Sequence, residues 1–155
     1  MNPLIFVAAL ASLPLAEPAP ASQDAVQVEK TFMAGIEAFN AHDLDRFMVQ
    51  FDPELQMFTP TGWLRGGAAV RARFSETFAR FPAVRMEIDR LKAKQVSDDT
   101  VVVTFAWTVR PQGAGPAFEG VGSGVYVRRP EGWREVIEHE TVTRTHPDLA
   151  RSAPK

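Results

Sequence analysis

The feature that most constrains this chain is a long C-terminal hairpin. Phe118, Gly120, Gly122, Gly124 and Tyr126 alternate along one strand, and Trp133, Glu135, Ile137, His139 and Thr141 along the next. Pro130-Glu131-Gly132 joins the two as a tight turn. A hairpin does not hold itself together in water, so these strands need further strands and a covering layer. The chain supplies both. Val84 to Ala93 alternates through Val84, Met86 and Ile88, and Val101 to Val109 is β-branched and aromatic. Ser97-Asp98-Asp99 separates these two runs as a turn.

The first half is helical by pattern. From Asp24, the residues Val28, Phe32, Ile36 and Phe39 form one apolar stripe at three- and four-residue intervals. Asp43 is placed as the N-cap of a second helix carrying Leu44, Phe47, Met48 and Phe51, which Asp52-Pro53 would end. Leu55 to Phe58 reads as a short strand, Thr59-Pro60-Thr61-Gly62 as a turn, and Trp63-Leu64-Arg65 as a brief resumption. A third helix aligns Val70, Phe74, Phe78 and Phe81 before Pro82. Helices followed by a run of antiparallel strands give an α+β fold. Its long curved sheet, mostly antiparallel, would wrap around the helices and enclose a central pocket.

With 155 residues the chain allows one domain, and its 45% hydrophobic content is that of a globular protein. A net charge of -2 argues against a nucleic-acid partner, which needs a concentrated basic surface. The absence of cysteine excludes disulfides, thiolate metal sites and a cysteine nucleophile. Leu4 to Leu15 is an apolar run of signal-peptide length, too short to span a bilayer, and Ala19-Pro20-Ala21 fits the small-x-small cleavage pattern. The expected organisation is a signal peptide over 1–21, a domain over 22–145 and a polar tail over 146–155. The mature protein would then be periplasmic or secreted, with no membrane segment left.

Three stretches resemble the nuclear transport factor two-like superfamily, in its SnoaL-like branch. They are Phe39-Asn40-Ala41-His42-Asp43-Leu44-Asp45, Gly62-Trp63-Leu64-Arg65-Gly66, and Gly132-Trp133-Arg134-Glu135-Val136-Ile137-Glu138-His139-Glu140-Thr141. The resemblance covers about Asp24 to Arg144. It implies a cone-shaped fold with a central pocket, and often a homodimer. The superfamily spans isomerases, cyclases, hydrolases, dehydratases and non-catalytic binding domains, so fold alone assigns no reaction.

Among residues able to carry chemistry, His139 stands first, because histidine transfers protons near neutral pH. Glu135 lies about 13 Å along the same strand and cannot pair with it. If Arg129 pairs with Trp133, Ser123 faces His139. If Arg128 pairs with Trp133, Gly122 does, and a one-residue slip exchanges every face. Asp52 is a candidate base if a pocket of Phe32, Phe39, Phe58 and Trp63 surrounds it, and Tyr126 a candidate donor. Each also has a structural reading: Asp52 as a turn residue, Tyr126 as a core aromatic. Ile36, Arg65, Trp107, Gly122 and Ser123 complete the expected pocket lining.

Gly120, Gly122 and Gly124 share a face, either to admit a ligand or to permit close packing. Ser123 lacks the flanking glycines of a nucleophile elbow. His42, His139 and His146 show no metal-ligand spacing, and no cofactor motif is present. The expectation is a small apolar or cyclic ligand bound in the cone. The alternative is a cofactor-independent lyase, isomerase or hydrolase that moves a proton with His139, assisted by Asp52 or Tyr126.

Overall fold

The computed structural model describes residues 21–146, so all but the last residue of the expected signal peptide, and the chain beyond His146, lie outside the described residues. Helix α1 (Gln23–Asn40) begins at Ser22, whose Oγ accepts the Ala25 N–H at 3.1 Å. Its stripe of Val28, Phe32, Ile36 and Phe39 is buried. Asp43 caps α2 (Leu44–Met48) by accepting the Arg46 N–H at 3.0 Å.

That helix is shorter than its pattern suggested. Phe51, expected on its apolar side, instead opens β1 (Phe51–Thr59), and Asp52-Pro53 lies inside that strand. The ladder between β1 and the last strand is interrupted from Phe51 to Gln56, where proline's missing N–H breaks no regular pairing. β2 (Gly62–Arg65) folds back on β1, and α3 (Gly67–Arg80) follows.

Four long strands complete the fold: β3 (Arg85–Ser97), β4 (Thr100–Arg110), β5 (Phe118–Arg129) and β6 (Gly132–Thr145). The sheet runs β2-β1-β6-β5-β4-β3, with only β1 and β6 parallel. Helix α1 packs across β3 and β4, and α3 against β1 and β2, so one face of the sheet is covered. The core has two halves. Val28, Phe32 and Ile36 meet Val101, Val103, Phe105, Trp107, Tyr126 and Trp133, while Phe39 and Phe47 meet Phe51, Leu55, Met57 and Val70.

The final hairpin takes half of each register that its sequence allowed. At the turn Arg129 pairs with Gly132 and Arg128 with Trp133. Tyr126 then pairs with Glu135 but Val125 with Ile137, which leaves Val136 unpaired as a β-bulge. Beyond it Ser123 lies opposite His139. The extra residue inverts the alternation: Trp133 and Glu135 are buried on the helix side, and so is Glu138, while Ile137 and His139 are exposed. A strict period of two would have kept Glu135, Ile137 and His139 together.

At the far end of β6, His146 is held to the start of β5. Its N–H bonds Ala117 O at 3.1 Å, and its Nε2 lies 2.9 Å from Glu119 Oε1.

Candidate functional site

The bulge puts three carboxylates on the covered face of one strand. Glu135, Glu138 and Glu140 all border a narrow interior cavity of about 20 Å³, with Phe32, Ile36, Phe105, Phe74 and Gln50. That volume holds about one water molecule. A larger cavity of about 260 Å³ adjoins it, lined by Phe39, Phe74, Met86, Trp107, Val109, Phe118 and Val142. Glu140, Phe74 and Met86 border both, so Glu140 stands at the neck. Arg73, on the exposed side of α3, and the Thr59-Pro60-Thr61 turn form the outer rim.

Glycines make the acid row possible. Gly124 pairs with Glu138, and Gly122 with Glu140. A Cβ on Gly124 would fall on Glu135 Oε1, and one on Gly122 or Gly120 would strike the rings of Phe105 and Trp107. These glycines therefore let neighbouring side chains lie flat over β5, which is the packing reading of their alternation. At the innermost end the Tyr126 hydroxyl is 3.2 Å from both Glu135 Oε2 and Gln50 Oε1. Gln50 reaches this point because Gly35 of α1 has no side chain in the way.

Burial dominates the electrostatics of the row. It raises Glu135 and Glu138 well above the ordinary carboxylate range. The charge of Glu135 and then of Glu140 raises Glu138 further, while the Tyr126 hydrogen bond partly offsets the effect at Glu135. Burial pushes Glu140 up to about 7, tempered by the Arg73 guanidinium. Tyr126 is raised well above its usual value, first by burial and then by the Glu135 and Glu138 charges. A protonated Glu135 can donate to Tyr126, which donates in turn to Gln50. One carboxyl that titrates near neutrality thus faces a ligand-sized cavity, backed by two whose burial favours the protonated form.

The expected site residues divide between two faces. Phe32, Ile36, Phe39, Trp107, Gly122 and Tyr126 are on the inner side, the first three on α1 and the others on β4 and β5. Phe58, Trp63, Arg65, Ser123 and His139 are on the outer side, away from the helices. There Trp63 stacks on Phe58 at 5.1 Å between centroids, and the Arg65 guanidinium covers Trp63 at 3.4 Å. His139 and Ser123 border an open groove with Thr104, Lys92 and Arg90. The Val136 bulge therefore removes His139 from the cone's interior, and no proton transfer inside the cone can be assigned to it.

Asp52 is buried but engaged elsewhere. Arg129 Nε donates to its carboxylate at 2.9 Å, and its other oxygen accepts the Glu54 N–H at 3.0 Å. Burial pushes its pKa up, but the Glu54 amide and Arg129 outweigh that and hold it below the usual range. A depressed, ion-paired carboxylate is a poor base. It ties β1 to the end of β5.

Sequence reasoning missed Gln50, Arg73, Glu138 and Glu140. The signal available was an excess of acid: Glu135, Glu138 and Glu140 crowd one strand of a hairpin whose partner strand carries three glycines. No single register could have turned all three acids to water, since Glu135 and Glu138 have opposite parity.

A half-open sheet curved over helices, with a pocket between them, defines the cone architecture of the nuclear transport factor two-like proteins. Residues 32–137 match the SnoaL-like domain, and the chain belongs to that family. Among solved structures it is similar to a domain of unknown function with a cystatin-like fold from Nostoc punctiforme (17% identity, 85% of each chain, TM-score 0.71). It is also similar to a candidate dehydratase of the NTF2-like family from Streptomyces avermitilis (19% identity, 79% of this chain and 98% of that one, TM-score 0.68). A third is a candidate calcium/calmodulin-dependent protein kinase type II association domain from Thiobacillus denitrificans (22% identity, 83% and 100%, TM-score 0.65). At these identities the likeness shows the fold. No curated protein matches the chain.

Proposed function

We propose that this is an exported protein that binds one small, largely apolar molecule inside its cone. The observation that carries the reading is the cavity of about 260 Å³, walled by Phe39, Phe74, Trp107, Phe118 and Val142 and floored by Glu140. Its volume lies just below the range usual for small-molecule sites, which suits a single ring or a short branched chain. Export rests on the Leu4–Leu15 run and Ala19-Pro20-Ala21, directly ahead of the Ser22 cap where α1 begins. Among the described residues no helix is long and apolar enough to cross a membrane. A homodimer through the outer sheet face would cover Phe58, Trp63, Val121 and Ile137, which are all exposed there.

One observation favours a second reading. Glu140, at the neck with a pKa of about 7, suits a general acid or base without a cofactor. In that reading Glu140 takes the role the sequence suggested for His139.

The test is calorimetric titration of the mature protein with a panel of monocyclic ketones, alcohols and hydrocarbons. Val142→Trp fills the cavity and should abolish binding with the fold intact by circular dichroism, while His139→Ala should leave it within two-fold. Binding that survives Val142→Trp would overturn the pocket assignment. Glu140→Gln separates the two readings, since an enzyme would lose turnover but keep its ligand.

A further inference from the structure

Trp107 presents the one buried side-chain donor of the described residues that has no partner. The residue is 6% exposed, and its Nε1 makes no hydrogen bond. A buried N–H left unpaired costs about 1–3 kcal/mol, so its presence in a central strand calls for a function. Trp107 lies in the middle of β4, paired with Gly120 on one side and Ile88 on the other. Because Gly120 has no side chain, the Cε2–Cζ2 edge of the ring lies over it. Nε1 is bonded to Cε2, so the donor belongs to that edge.

Gly120 in turn pairs with Val142, two residues beyond Glu140 on the same face of β6. Trp107, Val142 and Glu140 all line the same 260 Å³ cavity. Trp107 on β4 and Glu140 on β6 therefore lie on either side of β5, offset by two residues and about 12 Å apart at the backbone.

Resting on the pocket reading above, we infer that Trp107 Nε1–H is the polar recognition group of this cavity and that the ligand carries an acceptor oxygen to meet it. Around Trp107 the wall is apolar (Met86, Val109, Phe118 and Val142), while Glu140 stands at the neck and Arg73 and the threonines at the rim, so this donor sets orientation at the inner end. A ketone, ester or ether oxygen satisfies it. An ammonium group brings only donors, so it leaves Nε1 unpaired and turns instead to the Glu140 carboxyl. A hydrocarbon of the same shape fills the space without gaining the bond. Shielding from bulk water strengthens the contact, because no solvent competes for the N–H.

The experiment compares three molecules of nearly equal shape, acetophenone, ethylbenzene and 1-phenylethylamine, on wild type and on Trp107→Phe. Dissociation constants come from calorimetry, and the indole N–H resonances of the three tryptophans from ¹⁵N-correlated NMR. The Trp107 signal is the one lost in Trp107→Phe. At pH 5, below the Glu140 pKa of about 7, wild type should bind acetophenone best, with the Trp107 N–H proton moving downfield. The substitution should weaken acetophenone about five- to ten-fold and ethylbenzene less than two-fold. Equal weakening of both, or an unmoved Trp107 N–H with acetophenone bound, would overturn the donor role and leave the pocket standing. No binding of any of the three to wild type would overturn the pocket reading and this inference with it.

Discussion

Replacing Glu140 by glutamine tests the acid row directly, because the amide keeps the shape of the neutral acid and cannot ionise. Burial holds the folded carboxyl at about 7, against 4.5 for the free side chain. At about 1.4 kcal/mol per pH unit, that displacement corresponds to about 3 kcal/mol. The sign follows from linkage. Below pH 4.5 both states hold the proton, so the full stability is present. Between 4.5 and about 7 the unfolded chain ionises first, and stability falls as pH rises. Above about 7 the loss from this group is complete and constant.

Glu140→Gln removes that titration. The variant should match wild type to within about 0.5 kcal/mol at pH 4 and exceed it by up to about 3 kcal/mol at pH 8. Urea denaturation at pH 4, 6, 7 and 8 reads the difference as a midpoint shift at constant slope. Relief of the repulsion at Glu138 acts in the same direction. A difference independent of pH would refute the reasoning, since it would mean that Glu140 is solvated in the folded protein.

Two further substitutions test what holds the row in place. Gly124→Ala puts a methyl group on Glu135 Oε1 and should cost about 1–3 kcal/mol in denaturant unfolding. In a Glu135→Ala background the same change should cost much less, and an undiminished cost would place the strain elsewhere. Asp52→Asn loses the charge that Arg129 pairs with and should destabilise the protein by about 1 kcal/mol at pH 7. Because the folded pKa of Asp52 is depressed below 3.8, that stability is present above 3.8 and lost as pH falls further, so the two proteins should converge in acid. A gap that persists at pH 2 would mean that Asp52 acts through packing alone.

Sequence by itself determined the layers and part of the lining. The stripe Val28, Phe32, Ile36, Phe39 has only one periodicity, and it buries as an α-helix should. Alternation in Val101 to Val109 likewise fixes which side chains of β4 meet that helix, and Trp107, expected in the lining, is among them. Local pattern failed where a ladder slips. Pro53 was a helix stop by its chemistry, yet the structure uses it in a break between β1 and β6, a pairing of segments some eighty residues apart. Val136 is the sharper case. Nothing in Glu135-Val136-Ile137 marks a bulge, because either register of a Pro-Glu-Gly hairpin is sterically open. The choice falls to β1, β5 and α1 together, which can bury Trp133 beside Val28 and still turn Ile137 outward only if one residue is skipped. That single unpaired residue carries His139 to the outer face and brings Glu138 and Glu140 into the cone. The candidate site is therefore a product of tertiary packing, written in side chains that the sequence displays but does not orient.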